Sequence, residues 1–167
     1  PDVDAIFRLI NKKRNFIFKK NIKLSIGPRT FVPLNSQNTI WYQKAFPLLY
    51  LPSYCSMRAT DIWRGLIAKI ILSNDNKFIL YKSSDVYQKR NYHNLIKDLK
   101  EEMEMYRNLN FVSKILTNLK MVKGHKNYSK NLIIIYEKLV KLRIFPKKEL
   151  SLVKLWIADI DTLSKST

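Results

Sequence analysis

Ile62, Trp63, Leu66, Ile67, Ile70 and Ile71 recur at steps of one and three residues, which lays them on one wide apolar face of a 3.6-residue helix. This is the clearest element in the chain. Thr60 stands before the run as a candidate N-cap, and Asp61 in the first turn suits the positive end of the helix dipole. Ser73-Asn74-Asp75-Asn76 closes the helix.

Around it the pattern changes from period two to period 3.6. Ile6, Leu9 and Ile10 predict a short helix within residues 1–13, with Asp2 or Asp4 as its cap. Phe16 and Phe18, then Ile22, Leu24 and Ile26, alternate with polar neighbours as strands do. Residues 30–34 predict a further short strand, and residues 77–82 another. From Asn94 onward the chain is helical in pattern, with helices expected near residues 94–107, 110–122, 128–143 and 148–163. The class is therefore α+β: a small, twisted sheet flanked by helices, then a helical tail.

Composition excludes several kinds of chemistry. With three glycines in 167 residues, neither a P-loop nor a dinucleotide fingerprint is present. Cys55 is the single cysteine, so no intrachain disulfide forms, and its apolar setting reads as a buried, inert thiol. His93, His125 and Cys55 stand apart, which leaves no zinc constellation. No apolar run reaches the ~18 residues of a membrane span. The net charge is +18. That charge attracts polyanions such as nucleic acid, phosphates or an anionic membrane surface; the alternative is compositional drift, since Lys, Asn and Ile are all abundant. The chain begins with Pro1 rather than Met, from which a preceding segment is expected.

Candidate chemistry is densest between Asn35 and Arg64. Ser36, Gln37 and Asn38 crowd donors and acceptors into one loop, as sugar hydroxyls require; the same residues also read as a surface turn. Asp61 opens the main helix between Arg58 and Arg64, and a carboxylate fixed there can orient an acceptor hydroxyl or take its proton. The competing reading is a helix cap with a surface ion pair, worth about 0–1 kcal/mol. Lys89, Arg90 and His93 form a second cluster, suited to phosphate or, for His93, a metal; it also reads as a basic turn. Asp2-Val3-Asp4 has the D-x-D spacing of a divalent-cation site, and equally that of a helix cap.

Three strings in order carry a resemblance: Ser36-Gln37-Asn38-Thr39, Phe46-Pro47-Leu48-Leu49-Tyr50-Leu51-Pro52, and Thr60-Asp61-Ile62-Trp63-Arg64-Gly65. With the opening Pro1-Asp2-Val3-Asp4 and the later Gln88-Lys89-Arg90-Asn91-Tyr92-His93, they resemble glycosyltransferases of the STELLO type over roughly residues 1–106. The tail beyond carries no resemblance of its own. The resemblance implies a GT-A-like fold, of which this chain is the C-terminal, acceptor-side half: residues 1–107 as the transferase part and 108–167 as a helical extension. It implies a nucleotide-sugar donor and a glycan or protein acceptor. Asp61 matches the acidic residue that faces the acceptor hydroxyl. Ser36, Gln37 and Asn38 would hold sugar hydroxyls, with Arg58, Arg64, Arg90 and His93 toward the diphosphate. It places Asp2 and Asp4 after the true metal motif, so a Mn²⁺ or Mg²⁺ cofactor would find its main ligands outside this chain. The nucleotide-binding half is absent, so the chain alone is expected to be an incomplete enzyme. A Golgi membrane location follows if an anchor precedes it. Two other functions fit the residues: a basic nucleic-acid-binding module, and a non-catalytic assembly factor on a transferase-like fold.

Overall fold

The computed structural model describes residues 5–11, 19–28, 30, 32, 34, 36–87, 89, 92 and 94–165. The expected cap at Asp2 or Asp4 and the alternation at Phe16 and Phe18 lie outside these residues, as do Arg90 and His93. The element order is α1 (Ala5–Ile10), β1 (Lys23–Ile26), a 3₁₀ stretch (Gln43–Leu49), α2 (Thr60–Asn74), β2 (Ile79–Lys82), α3 (Leu95–Thr117), a 3₁₀ turn (His125–Asn127), α4 (Tyr128–Lys141) and α5 (Lys147–Lys165). The α+β class stands.

The described sheet is one antiparallel pair, with Lys23 opposite Lys82 and Ile26 opposite Ile79. The pair joins segments that lie on either side of α2 in the chain. Lys69 of α2 is buried and donates from Nζ to the Gly27 carbonyl at 2.6 Å, which ties the end of β1 to the helix. Burial pulls the Lys69 pKa down.

α2 is the centre of the core. Leu66, Ala68 and Ile71 are fully buried, and they share one cluster with Met105, Val112 and Leu116 of α3, Ile135, Tyr136 and Leu139 of α4, and Val153 of α5. Helix α2 begins one residue earlier than its sequence suggests. Ala59 is the N-cap, and Thr60, already helical, donates its hydroxyl to the Met57 carbonyl at 2.9 Å. Its end is a Schellman closure: Asn76 takes a left-handed φ of 52°, its N–H bonds Ser73 O at 3.0 Å, and Lys77 N–H bonds Leu72 O at 2.8 Å.

The helices expected at 94–107 and 110–122 are one. Asn94 caps α3 by accepting from the Ile96 and Lys97 amides, and the helix then runs unbroken to Thr117. Asn108, between the two expected helices, donates to the Glu104 carbonyl one turn back at 2.8 Å and stays helical. The stripe Asp98, Glu102, Met105, Val112 and Leu116 is buried along its whole length, which holds the helix together through the polar stretch.

Candidate functional site

The expected loop and the expected carboxylate meet. Ser36 donates its amide to Asp61 Oδ2 at 3.1 Å. The contact depends on Gly65, one turn after Asp61 on the same face of α2. A Cβ there would lie 2.6 Å from the Leu34 carbonyl oxygen and 2.8 Å from Leu34 Cβ. The bare glycine lets the Leu34 backbone lie on the helix, and Ser36 is thereby delivered to the helix tip. Leu34 is buried while Ser36, Gln37 and Asn38 are exposed, so the loop is anchored at one end and open at the other.

Asp61 is half-buried, neither sealed in the core nor standing free in water. Arg64 is buried, with its guanidinium 5.2 Å from the centre of the Trp41 ring. Burial lowers the Arg64 pKa, and the charge of Asp61 pulls it part of the way back. Asn38 reaches the other way and donates from Nδ2 to Asp85 Oδ1 at 2.6 Å. Sequence reasoning passed over Asp85 because a serine-rich turn gives it no periodicity, and its partner lies 47 residues away.

Arg58 is placed elsewhere. It donates from Nε and Nη2 to Glu102 Oε1 at 2.9 and 2.8 Å, and its Nη1 lies 3.4 Å from Asp98 Oδ2. Burial opposes its charge, but the bonds to Glu102 and the fields of Glu102, Asp98 and Glu101 outweigh it and raise its pKa. Arg58 therefore braces the start of α2 against α3.

The loop after Pro52 is held by the tail. Glu149 of α5 is fully buried and accepts from the Ser53 amide at 3.1 Å, the Tyr54 amide at 2.8 Å and the Tyr50 hydroxyl. Trp156 Nε1 donates to the Pro47 carbonyl at 3.0 Å. No sequence signal marks Glu149 as buried, since its neighbours Lys147 and Lys148 read as a solvated helix start. Cys55, in the same loop, is half-buried, and burial with the charges of Glu149 and Glu104 pushes its thiol up to about 12. A pKa raised in this way disfavours the reactive thiolate.

A cavity of about 40 Å³ lies beside Cys55, lined among others by Ser56, Glu101, Glu104 and Asn108. It has room for water and none for a sugar ring. Asp61 does not line it. Among the described residues no group of three or more His, Cys, Asp or Glu could hold a metal ion. Among them, too, no helix is long and apolar enough to cross a membrane.

A family model described as STELLO glycosyltransferases matches residues 58–166. The match starts at Arg58, takes in Asp61 and Gly65, and continues through α3, α4 and α5. It thus covers the tail that carried no resemblance in the sequence reading. No curated protein matches the chain.

Proposed function

The chain belongs to the STELLO glycosyltransferases, and from that premise we propose that it carries the acceptor side of a sugar-transfer site centred on Asp61. The observation that supports this is the bond from the Ser36 amide to Asp61 Oδ2 at 3.1 Å, which joins the polar loop to the carboxylate at the tip of α2.

In this reading an acceptor hydroxyl donates to Asp61 Oδ1 while its oxygen attacks the anomeric carbon of a nucleotide sugar. The new bond is carbon to acceptor oxygen, and the bond from that carbon to the diphosphate oxygen breaks. The nucleoside diphosphate leaves with the electron pair, and the hydroxyl proton passes to Asp61. Ser36, Gln37 and Asn38 hold sugar hydroxyls. Arg64, beside Asp61, contributes positive charge, and Arg90 and His93 belong toward the diphosphate. Arg58 serves the site indirectly, by fixing the start of α2. The whole enzyme would have a GT-A-like architecture, with the donor nucleotide and a Mn²⁺ or Mg²⁺ ion held mainly by residues outside this chain. The ion would offset charge on the diphosphate, and no role for the described residues depends on it.

The test is Asp61→Asn in the full-length protein, assayed for nucleotide release from a panel of nucleotide sugars with glycan acceptors. Loss of the proton acceptor is expected to slow transfer by about 10²–10⁴-fold with the melting temperature unchanged. Transfer at the unaltered rate by a folded Asp61→Asn protein removes Asp61 from the mechanism.

A further inference from the structure

Helix α3 sorts its charges by face. Its acids are Asp98, Glu101, Glu102 and Glu104. Asp98 and Glu102 are buried on the core side, where Arg58 reaches both. Glu101 and Glu104 turn to one flank and line the cavity beside Cys55. Among the cations, Lys97 lies 3.9 Å from Glu101. The others, Lys100, Arg107 and Lys114, are exposed and follow one line on the outer face.

Large apolar side chains share that line. Ile96 is 56% exposed, Met103 41% and Phe111 55%. Positions 96, 100, 103, 107, 111 and 114 advance by three or four residues, which keeps them on one stripe of an unbroken helix. Ile96, Lys100, Met103 and Lys114 each stand two residues before a member of the buried set Asp98, Glu102, Met105 and Leu116, so the stripe lies about 200° around the axis from the core. It runs for about 27 Å. A helix face given to water alone carries polar side chains. This one alternates cations with Ile, Met and Phe, and no acid stands among them.

That composition selects a partner. A second copy of this chain, docked through the same stripe, would set cations against cations. A nucleic acid would use the cations but give Ile96 and Met103 no role, since bases stack on rings and Phe111 is the one ring on the stripe. A bilayer surface rich in anionic lipid uses both. Its headgroups meet the Lys and Arg side chains, and the apolar side chains between them enter the acyl boundary. The net charge of +18 draws the whole chain toward such a surface.

We propose that the outer stripe of α3, from Ile96 to Lys114, is a docking face for an anionic lipid surface. The contact uses nothing at Asp61, so it stands apart from the transferase reading.

Flotation of the 167-residue chain with vesicles tests it, using phosphatidylcholine alone, an about 3:1 mixture of phosphatidylcholine and phosphatidylserine, and a short duplex oligonucleotide as the competing polyanion. Binding is expected to the mixed vesicles and not to phosphatidylcholine alone. Lys100→Gln, Arg107→Gln and Lys114→Gln together should weaken it about 10²-fold, and Ile96→Ser, Met103→Ser and Phe111→Ser together about tenfold. Lys147→Gln, Lys148→Gln and Lys154→Gln on α5 remove the same charge and should change it no more than about threefold. All these side chains are exposed, so melting temperatures should not move. Arg107→Gln and Met103→Ser, each made singly and each expected to weaken binding about three- to fivefold, carry the test if a triple variant fails to fold. The docking face is overturned if mixed vesicles are not bound, if both vesicle types are bound alike, if the α5 change matters as much as the α3 cation change, or if the apolar variant binds like wild type. An oligonucleotide bound through Lys100, Arg107 and Lys114, with mixed vesicles ignored, would make the stripe a nucleic-acid surface instead.

Discussion

Glu149 accepts the Tyr54 amide at 2.8 Å across 95 residues of sequence, and its carboxylate is fully buried. The Ser53 amide and the Tyr50 hydroxyl bond the same group. Among the described residues, hydrogen bonds alone hold this buried carboxylate, and they lock the loop that leads into α2. Glu149→Ala leaves these donors buried without an acceptor and is expected to cost about 3–5 kcal/mol. Glu149→Gln keeps the shape but sets an amide NH₂ against backbone N–H groups, and should cost about 1–3 kcal/mol. Urea unfolding of the three proteins measures both. A Glu149→Ala variant as stable as wild type would mean that the loop is held by other contacts.

Tyr136 stands in the same region and behaves in the opposite way. Its ring meets Tyr50 edge-on at 5.4 Å, while its fully buried hydroxyl has no hydrogen-bond partner among the described residues. The unpaired hydroxyl carries a desolvation cost that a phenyl ring lacks. Tyr136→Phe is therefore expected to be neutral or to stabilise by about 1 kcal/mol. A loss of more than that in urea unfolding would reveal a partner for the hydroxyl.

Gly65 tests how the site is built. A methyl group there collides with the Leu34 backbone at 2.6 Å, and neither the helix nor the buried Leu34 yields easily. Gly65→Ala is expected to cost about 1–3 kcal/mol, the usual cost of overpacking, offset in part by better helix propensity. The more telling effect is local. The Ser36 amide should lose its protection from hydrogen exchange as residues 34–38 lift from α2, while Leu66 and Ile67 keep theirs. Unchanged exchange at Ser36 would show that Asp61 holds the loop without help from Gly65.

These contacts mark how far the sequence could be read. The apolar face of α2 was legible because burial writes a 3.6-residue period directly into the chain, and the end at Asn76 because Asn tolerates a left-handed backbone. The pairing of Ser36 with Asp61 was legible only as two neighbouring patches of suitable chemistry. Its cause, a glycine against a backbone 31 positions earlier, is non-local. Arg58 looked like a phosphate ligand because nothing in its neighbourhood announces Glu102 and Asp98, which arrive from α3. Glu149 was invisible for the same reason: a buried carboxylate is specified by its donors, and its donors lie in another part of the chain.

Arg58 leads to a prediction that divides bracing from binding. Its side chain is only 24% exposed, and the Glu102 side chain is 4% exposed. Arg58→Met strands the Glu102 carboxylate in a dry place. Partial exposure of Arg58 reduces the effect below that of a sealed pair, to about 1–3 kcal/mol. Arg58→Lys should recover only part of this, since an ammonium cannot engage Glu102 with two N–H groups and reach Asp98 as well. Calorimetry gives the stabilities. If Arg58→Met instead melts like wild type while donor binding falls, Arg58 is a phosphate ligand and not a brace.

Asp75 sets a pH dependence whose sign can be worked out. Burial alone would raise its pKa. The Gly124 amide and the Tyr128 hydroxyl, helped by the charges of Lys77 and His125, more than reverse this and hold it below the ordinary 3.8. The folded protein thus binds this proton less readily than the unfolded chain does. Its stabilising contribution is complete above about pH 4 and is lost as pH falls through the lower folded-state value. Asp75→Asn should cost about 1–2 kcal/mol at pH 6, since the amide oxygen is a weaker acceptor for two donors. The gap between variant and wild type should then narrow steadily below about pH 4. Urea unfolding at pH 6, 4 and 3 measures it. A gap that stays constant down to pH 3 would mean that Asp75 is protonated equally in both states and that its bonds to Gly124 and Tyr128 do not tie α4 to α2.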